Sequence, residues 1–164
     1  MKSASEASLP ASFALQFEAR LAVQRAEYGA RVEMTGQAVS VYESDDDLYA
    51  VHGVKPGGVV GFGASIKEAC RDHTRRLGLV LDDFLQESAS YDEFERRAVA
   101  LFAHESPWSR EQFDRALEEA VVSQFSAGEA SVAESDYSVP PSWRPVGAGQ
   151  PPPIPVTSLI HRNA

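Results

Sequence analysis

Only one cysteine, Cys70, occurs in the 164 residues, so no internal disulfide can form and the chain suits a reducing compartment. No apolar run approaches the roughly 18 residues of a membrane span. The amino terminus lacks the charged segment and apolar block of a secretory signal. These absences predict a soluble, cytoplasmic protein. Basic side chains are outnumbered, with 15 Lys and Arg against 24 Asp and Glu and a formal charge of −9. A surface that clings to phosphate needs the opposite balance, whereas an acidic chain attracts basic proteins.

Catalytic and metal-binding patterns are missing too. His52, His73, His104 and His161 are scattered, and no CxxC or HxxxH pair gathers soft or imidazole ligands. Asp45, Asp46 and Asp47 would suit calcium only in a loop of the right spacing. Here Ala50 and Pro56 fall where a Gly and a bidentate Glu are needed. Gly58 to Gly63 has the outer spacing of a phosphate-binding loop, but Ala64 stands in place of the Lys that precedes the hydroxyl residue. There is no GxSxG elbow, and Asp82 with Asp83 reads as a solvated helix surface. The expectation is a protein that is not an enzyme, with no catalytic, cofactor-binding or metal-ligating residue.

What is present is a modest core, since 43% of residues are apolar. Phe13, Phe17 and Leu21 recur at four-residue spacing among Glu18, Arg20 and Arg25, which predicts an amphipathic helix over 11–28. From Arg31 the pattern alternates: Val39 and Val41, then Leu48, Ala50, Val51 and Val54, then Val59, Val60 and Phe62. Turn formers at Thr35-Gly36, Ser44 to Asp47 and Lys55 to Gly58 separate these runs, predicting a three-stranded antiparallel meander.

Ser65 and Glu68 form a capping box after Gly61 and Gly63, so a second helix begins there. Ile66, Ala69, Cys70, His73 and Leu77 mark its apolar face, and Gly78 could end the helix or lie inside it. Ser90 with Glu93 and Ser109 with Gln112 predict two more helices, separated by Pro107. Residues 88–126 hold eight acidic and four basic side chains, and seven of the ten prolines follow Ala127. The expected fold class is α+β: helix, three-stranded antiparallel meander, helix, then two further helices and an extended Pro-rich tail. The corresponding divisions are a flexible start over 1–10, an α-β-β-β-α domain over 11–87, a helical extension over 88–126, and an extended or disordered tail over 127–164.

Lys67, Arg71 and Arg75 fall at four-residue steps on the second helix. Such a row is either a solvated face neutralised by Glu68 and Asp72, or a helix end that meets phosphates or an acidic partner.

Gly61, Gly63, Ser65, Lys67 and Ala69 follow a pattern that resembles the double-stranded RNA-binding domain. Ile66 and Cys70, however, take two of its lysine positions, and Asp45 to Asp47 replace the loop that would meet the minor groove. The span 38–86 also resembles the amino-terminal domain of HicB-type antitoxins. Val41-Tyr42-Glu43-Ser44, Leu48-Tyr49-Ala50-Val51 and Gly61 to Ala69 carry that likeness. It implies a related fold used to bind and block a small basic ribonuclease.

The reading is therefore a non-catalytic protein-binding module, antitoxin-like in its most specific form, with a basic protein as partner. Its expected contact residues are Asp45, Asp46, Asp47, Lys67, Arg71 and Arg75, with Trp143, Leu159 and Ile160 as apolar anchors of the tail. A duplex-RNA or other nucleic-acid binder working through the Lys67 face is the alternative. An adaptor docking through its tail is a second, and a homo-oligomer stays open.

Overall fold

A computed structural model describes residues 12–127, 138–147 and 154–163. Along the chain run β1 (Ser12–Gln24), β2 (Gly29–Glu43), β3 (Leu48–Lys55), β4 (Gly57–Gly63), α1 (Ile66–Glu87), α2 (Tyr91–Ala103), α3 (Pro107–Ala127), β5 (Trp143–Pro145) and β6 (Ser158–Asn163). The strands form one six-stranded antiparallel sheet in the order β4-β3-β2-β1-β5, with β6 beside β2. The three helices follow the first four strands, so the expected order of helix, meander and helix is wrong.

The error lies at the start. Residues expected to form the first helix are β1, paired with β2 from Ser12↔Val41 to Gln24↔Gly29. A four-residue spacing is also twice the period of a strand. Leu15, Ala19 and Val23 fill the positions between Phe13, Phe17 and Leu21, so every odd residue is apolar. Thr35-Gly36 is likewise no turn, because β2 runs straight through it. Its glycine leaves room for the Phe17 ring, whose Cε1 would lie 2.6 Å from an added Cβ. The true hairpin turn is Arg25 to Tyr28, where the Arg25 N–H donates to the Tyr28 carbonyl at 2.9 Å.

The long β2 has β1 along one edge and two neighbours along the other: β3 on Gln37–Glu43 and β6 on Gly29–Met34. Within the expected extended tail, the described residues thus supply two strands of the sheet. Between them the chain is held by Gln16, a polar side chain buried in β1. Its amide donates to the Ile154 carbonyl at 2.5 Å and accepts from the Ile154 N–H at 3.0 Å, an arrangement that mimics strand pairing. Thr35 continues the clamp, its hydroxyl donating to the Pro155 carbonyl at 2.7 Å and accepting from the Thr157 N–H at 2.8 Å. The expected flexible start over 1–10 lies outside the described residues.

Both faces of the sheet are covered. On one, Leu15, Phe17, Val32 and Val51 pack with Leu77 and Leu81 of α1 and Phe94 and Phe102 of α2. On the other, Ala14, Val39 and Val54 pack with Phe113 and Ala116 of α3. Ser65 and Ser90 cap α1 and α2 by accepting from the Glu68 and Glu93 N–H groups at 3.2 Å. The two glutamates reach back one residue beyond the cap, to the Ala64 and Ala89 N–H groups. Gly78 lies inside α1. Pro107 does not separate the last two helices: it opens α3, at a position where its missing N–H goes unused, with Ser106 accepting from the Ser109 N–H at 3.3 Å. Among the described residues no helix is long and apolar enough to cross a membrane.

Gly61 and Gly63 serve contact between β4 and α1. A Cβ on Gly61 would lie 2.7 Å from the His73 Cα, and one on Gly63 2.6 Å from the Ala69 nitrogen, both backbone atoms that cannot swing aside. Gly58 needs glycine for a different reason, a φ of +89° with open space around it. Gly61→Ala is therefore expected to destabilise the protein by about 3 kcal/mol or more through overpacking. Gly58→Ala should lose only about 1 to 2 kcal/mol, through backbone strain. Urea unfolding of the two variants checks the order, and equal losses would refute the close-approach account.

Candidate protein-binding surface

The register of the sheet brings the acidic turn and the start of α1 to one end. Glu43 pairs with Leu48 across the turn, and Tyr49 pairs with Gly63, where β4 leaves the sheet toward Ser65. Asp45, Asp46 and Asp47 are all exposed. Asp47 takes the left-handed backbone conformation, with φ of 50°, which Asp tolerates better than most residues. The Tyr42 hydroxyl donates to its carboxylate at 2.5 Å, so the turn is shaped from within β2. Tyr42 and Tyr49 form a tilted cross-strand pair at 5.2 Å beneath it.

The row of cations on α1 is less uniform than its spacing suggests. Among the described residues, Lys67 and Arg71 make no ion pair. Arg75 bonds Asp72 at 2.7 Å, and the same carboxylate takes Arg76 at 2.8 Å. Asp72 also accepts from the Phe62 N–H at 2.8 Å, tying α1 to the edge of β4. Partial burial raises its pKa, but the Phe62 N–H and the two arginines outweigh this and hold the carboxyl at about 2. Glu68 is occupied in capping the helix. The turn presents three exposed aspartates, which suit a cationic protein and oppose a phosphate backbone, whereas Lys67 and Arg71 stand on the neighbouring helix.

The tail residues lie elsewhere. Trp143 is buried, stacked on Phe17 at 4.6 Å and 25°, so it anchors β5 in the core and offers nothing to a partner. Leu159 is 54% exposed on β6, while Ile160 is half-buried against the first core. The expected contact residues thus fall into three separate places. Two exposed aromatics were not among the expected contact residues: Phe62, 43% exposed with Arg76 over its ring, and Trp108, 48% exposed and edge-on to His52 at 4.7 Å. Their exposure depends on which strand lies at the sheet edge and where α3 begins, neither of which a local pattern encodes.

Two clefts of about 210 Å³ are present, one beside Gln16, Trp143 and Arg144 and one beside Met34, Val99 and Thr157. Ligand pockets usually span roughly 300 to 1,000 Å³. Among the described residues no group of three or more His, Cys, Asp or Glu is placed to hold a metal ion. Burial pushes the Cys70 thiol up to about 12, which keeps it protonated and unreactive.

Comparisons with protein-family models, with curated proteins and with solved structures find no match to this chain.

His73 is fully buried, edge-on to Phe17 at 5.2 Å and to Trp143 at 5.4 Å. Burial lowers its pKa from 6.5 to about 4, with nearby Asp72 pulling it up and His52 pulling it down. Between those values the unfolded chain binds a proton that the folded one refuses, so stability falls as the pH drops from 6.5 toward 4. The expected loss is on the order of 3 kcal/mol. Asp72 acts lower, where its depressed pKa contributes stability that is lost between 3.8 and about 2. His73→Phe should remove most of the upper loss and leave the lower one. Urea unfolding across this range tests it, and an unchanged upper limb in the variant would exclude His73 as its source.

Proposed function

We propose that this chain is a non-catalytic protein-binding module that meets a basic protein through the acidic end of its sheet. An antitoxin-like role is the most specific form of the proposal, in keeping with the likeness of residues 38–86 to the HicB-type domain. The observation that carries it is the placement of three exposed aspartates, Asp45 to Asp47, at the end of the sheet where α1 begins. A net charge of −9 acts in the same sense at longer range. Complementary charge of this kind raises the association rate and the selectivity for cationic partners. The single cysteine, buried and protonated, fits a reducing, cytoplasmic setting.

The test is a search for a small basic protein encoded next to this chain, followed by coexpression of the two. Wild type should copurify with that protein, and the triple variant Asp45→Asn, Asp46→Asn, Asp47→Asn should associate roughly tenfold more slowly at low salt, with little change in dissociation. Absence of such a neighbour, or a complex indifferent to the three substitutions, would sink the reading. Duplex RNA should not bind even at about 50 mM salt, where phosphate contacts are strongest. RNA binding that is abolished by Lys67→Ala and Arg71→Ala would favour the nucleic-acid alternative.

A further inference from the structure

β6 has a free edge. In the β2–β6 ladder the Thr35 N–H donates to the Thr157 carbonyl at 2.9 Å, which fixes the parity of the pairing. Residues of β2 at odd positions turn their backbone groups toward β6, so the N–H and C=O groups of Ser158, Ile160 and Arg162 point away from the sheet. Nothing among the described residues bonds them. The other two edges carry caps. On β4 the Phe62 N–H is taken by Asp72; on β1, Glu18 donates to the Ser142 carbonyl and the Gln24 carbonyl accepts from Gln86.

An uncovered edge ordinarily carries proline, lysine, a bulge or an inward-pointing charge that discourages pairing. Ser158 to Asn163 contains no proline or lysine, its register with β2 is unbroken, and its one arginine, Arg162, lies over the Tyr28 and Tyr91 rings. Exposed apolar residues flank it instead. Leu159 is 54% exposed on one side of the strand, and Val99 of α2 is 52% exposed beside the cleft at Val156, Thr157 and Ser158.

We infer that this edge pairs antiparallel with β6 of a second copy of the chain, joining two sheets across a two-fold axis. A register centred on Ile160 satisfies the open backbone groups of both copies. Each Ile160 faces the other, and each Ser158 faces an Arg162, so every outward donor meets an outward acceptor. The two Ile160 side chains meet on the α2 side, and Leu159 lies opposite His161 on the other. No cation opposes its own copy, because Arg162 meets Ser158 and its guanidinium is drawn back over the Tyr28 and Tyr91 rings at 5.3 and 5.0 Å. A foreign strand could supply the backbone bonds but would need its own matching side chains, whereas a second β6 brings them by symmetry.

Light scattering of the full chain from low to high micromolar concentration should show the mass rising toward twice 17.8 kDa. Ser158→Pro removes an outward N–H without touching the β2–β6 bonds, and Leu159→Lys adds charge to the edge. The double variant should raise the dimer Kd roughly tenfold or more, with the helical circular dichroism unchanged. Hydrogen exchange of the wild type gives a reading independent of any variant: the Ile160 and Arg162 amides should slow as the protein is concentrated. Oxidised Leu159→Cys/His161→Cys should form a disulfide-linked dimer, since these positions face each other across a non-hydrogen-bonded pair. A monomer at every concentration, or a dimer whose Ile160 and Arg162 amides stay unprotected, would overturn the inference.

Discussion

The backbone of α1 rests on β4 through two glycines, and much of the remaining architecture depends on that approach. With only hydrogen at Gly61, the main chain of α1 at Ala69 and His73 can lie directly on the strand. This depth places Asp72 against the Phe62 N–H and His73 over Gly53, where an added Cβ would lie 3.2 Å from the imidazole Nε2. His73 in turn forms one wall of the slot that receives Trp143, with Phe17 as the other. Trp143 fastens β5 to β1. A spacing set by two missing side chains on β4 is therefore transmitted across the sheet to its far edge. Dry, close-packed interiors respond to a single methyl group in this way.

A second constraint is the length of β2. Fifteen residues are more than β3 can pair, so half of one edge is left for a strand from much later in the chain. The segment that fills it must cross from the β1 edge to the β2 edge over a sheet face that offers it no ladder. Gln16 and Thr35 resolve this by presenting side-chain donors and acceptors where a strand would present its backbone. Each pairing satisfies polar groups that burial would otherwise leave unmatched. Substituting an apolar residue for Gln16 would strand the Ile154 N–H and carbonyl, which is why a polar residue stands in the middle of an otherwise apolar stretch.

The first two helices after β4 were legible in the sequence because their signals are local, whereas α3 begins at Pro107 and holds Ser109, its expected cap, inside its first turn. Ser65 with Glu68 and Ser90 with Glu93 each encode a start within four residues, and tertiary contacts do not alter it. β1 was not legible from the spacing used, since Phe13, Phe17 and Leu21 satisfy a helix and a strand alike. Leu15, Ala19 and Val23 decide between them, but Ala14 and Gln16 blur the alternation because α3 and the crossing segment bury that end of the strand on its second face too. Composition misled at the other terminus. Trp143 and Ile160 mark where the tail attaches, and only the sheet supplies their partners. The acidic turn was readable from Asp45 to Asp47 alone, while its position at the same end as α1 required the register Tyr49↔Gly63.

That register also separates the two proposed contacts along β2. The aspartates follow its carboxy-terminal end, and β6 lies against Gly29–Met34. Nine residues lie between Met34 and Ser44, about 30 Å of extended strand at roughly 3.3 Å per residue. A partner at the turn and a second copy at β6 would therefore occupy surfaces too far apart to compete directly. A two-fold axis through Ile160 places the two acidic turns at opposite extremes of the joined sheet, because each β2 runs away from the axis toward its own turn. Two basic partners could then bind without meeting, beyond the reach of screened charge repulsion between them, since the Debye length at physiological salt is only about 8 Å. Any coupling between the sites would have to travel through the β2 backbone and the core packed on it, not through the field of the bound charges.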